Sequence, residues 1–329
     1  MKHTGYGIVL FTACVLMGAG AAAAAQATAN YPTRPLRMVV PFSPGGASDI
    51  IGRIISSRLS EELGQQIVVD NRAGADGNVG AQIAASAVAD GHTFLFGSVG
   101  VMSINPSVYL RSPLKPTRDF IGVTQVADVP GSLTINPTLP VNSVKELINY
   151  AKARPGKLNY GSSGTGSVNQ LQMEFFMRAA GIDLVHIPFK GGAPSTLAVL
   201  ASEVQLTFST LSASMTHVKS GRLKILAVIA PKRQAEFPDV PTLAESGFPS
   251  MTTGTWQGLF FPKGTPRPIV AKFYGATINV LERADVKKRV ANVGADVVAS
   301  KSPEAFTAFV ESETERWAKL VKEVGLVVK

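Results

Sequence analysis

Cysteine is almost missing from this chain. Cys14 is the only one in 329 residues, and it lies in an apolar N-terminal stretch. No disulfide framework, redox pair or cysteine zinc site can therefore be drawn. Histidine is nearly as scarce, with four residues; His92, His186 and His217 stand far apart, without the close spacing of a metal site. No Gly-x-Ser-x-Gly elbow occurs, so the many serines lack the usual setting of a hydrolase nucleophile. No Gly-Lys-Ser/Thr follows a glycine-rich turn, and the glycine spacing does not fit the dinucleotide fingerprint. The expectation is no enzyme, no cofactor and no metal. The 32 basic residues exceed the 23 acidic ones for a net charge of +9, yet they are scattered and no block of them carries interleaved aromatics. That pattern excludes nucleic acid and suits solubility with mild steering of anionic solutes.

Long apolar runs are also absent, with one exception. Ile8 to Ala25 is uncharged and alanine-rich, sits behind Lys2, and leads into Ala25-Gln-Ala27 and Ala27-Thr-Ala29. This is the pattern of a secretory signal over residues 1–29, cleaved after Ala27 or Ala29. An uncleaved membrane anchor is the alternative, since the run approaches spanning length. Taking Lys2 from the 32 basic residues leaves 31 against 23, or +8. An exported chain without disulfides depends on its core, which about 300 residues can supply.

Beyond the leader, apolar strands alternate with helical patterns, predicting a parallel α/β architecture in two domains. Strands are expected at 36–40, 67–69, 93–96, 133–135, 158–160, 184–187, 204–208, 225–229 and 257–261. Helices are expected at 48–63, 80–87, 144–153, 168–180, 195–201, 212–219, 267–283 and 303–323. Ser143 with Glu146 reads as a capping box, Gly64 and Gly181 as C-terminal stops, and Ser302-Pro303 as a cap followed by proline in the first turn. The chain is expected to cross between domains at Asp128-Val-Pro-Gly131 and again within Phe237 to Thr253. Two crossings make a hinge, and a hinge beside a cleft suggests closure around a ligand.

Two segments share one plan of strand, glycine- and serine-rich turn, and helix start. The first turn is Phe42-Ser43-Pro44-Gly45-Gly46-Ala47-Ser48-Asp49; the second is Gly161-Ser162-Ser163-Gly164-Thr165-Gly166-Ser167. Each can aim backbone N–H groups, hydroxyls and a positive helix end at one point, which holds an anion without a charged side chain. Asp49 is either an acid in that site or a first-turn carboxylate serving its own helix. Asn71 and Asn78, in the glycine-rich stretch after Val69, are either rim contacts or turn residues. His186-Ile-Pro-Phe-Lys190-Gly191 is a third strand-to-glycine junction, where Lys190 adds charge to the cleft or stays solvated; His186 reads as structural.

These segments recur in order with Tyr31-Pro-Thr-Arg-Pro, Val69-Asp-Asn-Arg-Ala-Gly-Ala-Asp-Gly-Asn and Val240-Pro-Thr-Leu-Ala-Glu-Ser-Gly. Together they resemble the solute receptors of the tripartite tricarboxylate transporter family, also called Bug receptors, over nearly all of the chain from Tyr31. The resemblance implies a periplasmic, monomeric, non-catalytic binding protein of type II-like fold, with two Rossmann-like lobes joined by a two-strand hinge. It implies lobe 1 from 30–129 with 252–329 and lobe 2 from 130–251. A ligand carboxylate would be gripped by Phe42 to Asp49 and Gly161 to Ser167, with Asn169, Lys190 and Gly191 as secondary contacts. Membrane transporter subunits are the implied partner; a sensor kinase is the alternative, and a secreted serine hydrolase a third reading. Two departures stand out: Phe189 replaces the family's usual tyrosine, and Gln205 its usual aspartate after Val204. A neutral glutamine pairs poorly with an amine, so the expected ligand is a small carboxylate without an amino group.

Overall fold

The computed structural model describes residues 30–249, 251 and 254–325; the expected signal segment and its cleavage sites lie outside the described residues. The strands are β1 (Leu36–Val40), β2 (Ile67–Asn71), β3 (Thr93–Ser98), β4 (Phe120–Val129), β5 (Gly131–Ile135), β6 (Asn159–Ser162), β7 (Val185–Pro188), β8 (Leu206–Thr210), β9 (Lys224–Ile229), β10 (Thr255–Pro262) and β11 (Asp296–Val297). The helices of eight residues or more are α1 (Ala47–Leu63), α2 (Asn78–Ala85), α3 (Val144–Lys152), α4 (Val168–Ala180), α5 (Gly192–Leu200), α6 (Leu211–Lys219), α7 (Arg267–Glu282), α8 (Ala284–Ala291) and α9 (Pro303–Val324).

The strands form two sheets, one in each lobe: β11-β4-β10-β3-β1-β2 and β7-β6-β8-β5-β9. β1, β2 and β3 run parallel, as do β6, β7 and β8. The wholly parallel sheets expected from the alternation need correction. β10 is antiparallel to β3 and β4, and β5 is antiparallel to β8 and β9. The physical reason is direction of travel. A strand arriving from the other lobe enters its sheet at the cleft, whereas the parallel strands leave at the cleft.

β4 was not foreseen. Its sequence puts Thr124 and Gln125 in the middle of an apolar run, and both are buried. Their polarity is matched by the chain after β11: the Ser300 amide donates to Thr124 Oγ1 at 3.0 Å, and the Gln125 amide donates to Ser300 Oγ at 3.2 Å. Register shifts against β10 further break the alternation. α8 was missed as well, because its buried side is only Val286 and Val290 among charges. The expected caps are present: Ser143 and Ser302 accept the Glu146 and Ala305 amides, Glu146 Oε2 accepts from the Asn142 amide, and Gly64 and Gly181 are left-handed.

The first sheet is covered on both faces. On one side α1 buries Ile51, Ile54, Ile55 and Leu59 against Met38 and Phe96; on the other, Phe306 of α9 packs on Trp256 and Phe260. Phe306 fits because Gly122 and Gly258 leave the sheet bare beneath it; an added Cβ at Gly258 would overlap the ring. The second sheet buries Leu133, Tyr160, Phe176 and Phe208. Removing a fully buried aromatic costs roughly 3–5 kcal/mol. Phe306→Ala is therefore expected to lower the denaturant midpoint of the six-stranded lobe sharply, while the milder Phe306→Leu keeps most of the stability.

Candidate functional site

The two glycine turns face one another. A cavity of about 60 Å³ between the lobes is lined by Phe42, Gly46, Ala47 and Ser48 from the first turn and by Ser163 and Asn169 from the second, with Thr210 and Gln257 also in the wall. A second cavity of about 340 Å³ shares Phe42, Asp76 and Ser163 with it and adds Gly164, Thr165 and Lys190. Both lie where β1, β3, β6 and β8 end. Parallel strands leave a crevice at their carboxyl ends, and the following helices point their N-termini into it.

α1 supplies the open donors. Its N-cap, Gly46, has no side chain to cap the first turn, so the amides of Ala47, Ser48 and Asp49 keep the unmet donor capacity of a helix start. Ser48 Oγ donates to Gln257 Oε1 at 2.9 Å, which fixes the carboxamide and leaves its Nε2 as the donor end. Asp49 is the helix's own carboxylate: its oxygens accept from the Gly45 amide and Arg53 Nε, both at 2.9 Å. Burial opposes its charge, but Arg53, the Gly45 amide and Asn71 together outweigh burial and hold the group below the usual carboxylate range. Asn71 stands behind the turn, donating to the Phe42 carbonyl at 3.0 Å and accepting from Arg53.

The second turn is arranged differently from the expected open cradle. The Gly164 amide donates to Ser162 Oγ at 3.2 Å, the Gly166 amide to Gln170 Oε1 at 2.7 Å, and the Gln170 amide to Ser167 Oγ at 3.3 Å. The Gly164 and Gly166 amides are therefore taken up within the turn, and the Ser167 amide by the Gly164 carbonyl, which braces the wall. Ser162 Oγ donates to the Gly164 carbonyl and lies 2.6 Å from His186 Nε2, which requires the Nε2–H tautomer of a neutral imidazole. Burial holds the His186 pKa below its ordinary value. Ser163 Oγ donates to Asn169 Oδ1, and Asn169 Nδ2 to the Phe208 carbonyl, so Asn169 joins the turn to β8.

Several sequence candidates lie off both cavities. Ser43, Gly45, Asp49, Asn71, Gly161, Ser162, Gly166, Ser167, Gly191 and Gln205 line neither. Ser43 Oγ donates to the Lys190 carbonyl at 2.7 Å and so bridges the lobes. Gly161 lies in β6, where its carbonyl accepts from Thr207; Gly45 and Gly191 are positive-φ turn positions. Gln205 Oε1 accepts the Asn159 amide at 2.8 Å at the far end of β6. It does not reach the cleft, which removes the ground on which an amine was disfavoured. Asn78, the other rim candidate, is buried against Asn105.

The sequence reading missed Asp76, Ser98, Gly100, Thr210, Thr255 and Gln257. Gly97-Ser-Val-Gly100, a further strand-to-glycine junction after β3, was the available signal for two of them. Asp76 is 7% exposed, and its Oδ2 has no hydrogen-bond partner. Desolvation raises its pKa well above the ordinary 3.8. Tyr109 beside it is also pushed up, first by burial and then by the Asp76 charge, and its hydroxyl donates to the Thr165 carbonyl across the cleft.

Two lobes meeting over a small cavity at the ends of parallel strands are the build of a solute-binding protein. The model of the tripartite tricarboxylate transporter family receptor matches residues 51–326. BugT of Bordetella pertussis is 36% identical over 312 residues, covering 94% of this chain and 95% of that protein. Among solved structures, R. palustris Rpa4515 with adipate is 37% identical with a TM-score of 0.87, covering 90% of this chain and 98% of its own. MatC of Rhodopseudomonas palustris with bound malate is 31% identical with a TM-score of 0.83, over 88% and 100%. The chain belongs to the tripartite tricarboxylate transporter receptor family, whose members are periplasmic binding proteins. Among the described residues no helix is long and apolar enough to cross a membrane.

The Asp76 carboxyl carries a pH signature. Its raised folded pKa means the folded state keeps a proton that the unfolded state releases, so stability falls as pH rises from 3.8 through the folded value. Asp76→Asn is therefore expected to raise the melting temperature of the unliganded protein at pH 7–8, with the gain shrinking towards pH 4. A gain that is the same at both pH values would contradict a buried, unpaired acid.

Proposed function

We propose that this chain is a periplasmic receptor that closes on a small carboxylate and delivers it to the membrane subunits of a tripartite transporter. Residues 1–29 are its export signal, and its lobes are 30–129 with 252–329 and 130–251. The observation that carries the reading is the uncapped N-terminus of α1 opening into a cavity walled by the second lobe. The carboxylate sits against the amides of Ala47 and Ser48, with Gln257 Nε2 and the Thr210 hydroxyl completing the donor set. Hydrogen bonds to a charged group are worth roughly 1.5–3 kcal/mol each, so four give about 6–12 kcal/mol gross. Association costs at least ~4 kcal/mol, and micromolar affinity needs about 8 kcal/mol net. A salt bridge is not required. The adipate and malate bound to two relatives are carboxylates of this size class.

A thermal-shift screen of ligand-stripped protein with mono-, di- and tricarboxylates and amino acids tests the proposal. A true ligand at 100 times its Kd is expected to stabilise the folded state by about 2.7 kcal/mol; a panel that produces no shift refutes the carboxylate class. Closure has its own test. Gly166 has φ +83°, and an added Cβ would overlap Val108 of the facing lobe. Gly166→Val is expected to weaken binding at least tenfold and to leave the lobes apart in small-angle scattering with ligand present. A variant that still compacts would count against closure at this contact.

A further inference from the structure

Among the described residues, Asp76 is the one acid in the cleft wall whose carboxylate oxygen is both buried and unpartnered. The backbone puts it there: Ala75 and Asp76 both adopt the left-handed conformation, at φ 46° and 49°, which side-chain-bearing residues rarely hold. The turn delivers the carboxyl between the lobes. Its Oδ2 lies 3.5 Å from the position a Gly100 Cβ would take, and its Oδ1 lies 3.6 Å from that of Gly164 in the facing lobe. Both are ordinary contact distances, so the carboxyl lies against bare backbone of each lobe. Nearby, Asn105 donates through Nδ2 to the Asp76 carbonyl at 2.9 Å, and its Oδ1 is likewise buried without a partner. A strained turn that buries an unpaired acid is retained where the acid meets something that completes it.

We propose that the cleft selects carboxylates that also carry an ammonium group, and that Asp76 is the residue that recognises it. This selectivity rests on the carboxylate reading above and narrows it. The cavity is polarised, with the uncapped amides of α1 on one wall and, on another, the Asp76 carboxyl, which an approaching ammonium draws into its ionised form. A zwitterion matches both. A ligand hydroxyl would offer Asp76 one hydrogen bond but leave its charge desolvated; an ammonium supplies donors and countercharge together. An unaminated dicarboxylate would bring a second negative charge towards an unpaired acid, which is unfavourable unless Asp76 takes up a proton.

Isothermal titration of ligand-stripped protein with matched pairs decides the matter: succinate against aspartate, glutarate against glutamate, and butyrate against 4-aminobutyrate. The aminated member of at least one pair is expected to bind roughly tenfold tighter or better, the weight of one charge-assisted hydrogen bond. Asp76→Asn is expected to abolish that preference, weakening the aminated member and tightening the unaminated dicarboxylate that the acid repels. Equal or tighter binding of every unaminated member by the wild-type protein overturns the selectivity and leaves the carboxylate reading standing; this comparison needs no variant. Preference for the amine that persists in a folded Asp76→Asn variant overturns the role of Asp76. Failure of all six compounds, together with a silent panel of other carboxylates, overturns both.

Discussion

Everything in this molecule depends on two strands crossing between its lobes. β4 runs out of the six-stranded sheet and, after Pro130 alone, becomes β5 of the other; β10 brings the chain back. Gly254, just before β10, lies so close to the Val129 carbonyl and Pro130 that no side chain fits there. The crossings are held side by side by the β4–β10 pairing, Thr255 opposite Val129. A strand that enters a sheet at the cleft must run against strands that leave at the cleft. This constraint makes both sheets mixed and aims the carboxyl ends of the parallel strands at one crevice. Helix N-termini follow, and with them the partial positive charge that an anion seeks.

The two turns built on this frame share a sequence plan but divide the labour. The turn into α1 is left unfinished at its helix end, because glycine stands where a capping hydroxyl would otherwise satisfy the first-turn amides. The turn into α4 is braced from within: Ser167 caps, Gln170 reaches back to Gly166, and the Ser162–His186 contact locks the strand end. The first offers open helix-start amides, and the second a braced wall. Ser43 to Lys190 and Tyr109 to Thr165 then join the lobes at the rim. Within the described cleft the electrostatics are sparse, so the single unpaired acid at Asp76 weighs more than its size suggests.

Much of the fold was legible because its signals are local. Apolar runs of strand length, capping boxes and C-terminal glycines report on neighbours a few residues away, and Ser143, Ser302, Gly64 and Gly181 behave as their spacing predicts. β4 escaped because its buried Thr124 and Gln125 are matched by Ser300, some 175 residues on. In the site, the order of residues gave the loops but not their open donors. Ser167 and Gln205 look equally available in one dimension; in the fold one caps a helix and the other holds the Asn159 amide at the opposite end of the sheet.

By itself the sequence determined the strand-turn-helix units, the places where glycine must stand, and the absence of a disulfide network or a recognisable catalytic motif. Those follow from backbone conformation and from residue types, which spacing records directly. Only the tertiary structure decided which polar groups stay unsatisfied at the cleft, and that Asp76 rather than Gln205 faces it. Whether a donor or an acid is free depends on what the opposing lobe and distant strands bring within hydrogen-bond reach, and that proximity is a property of the folded chain.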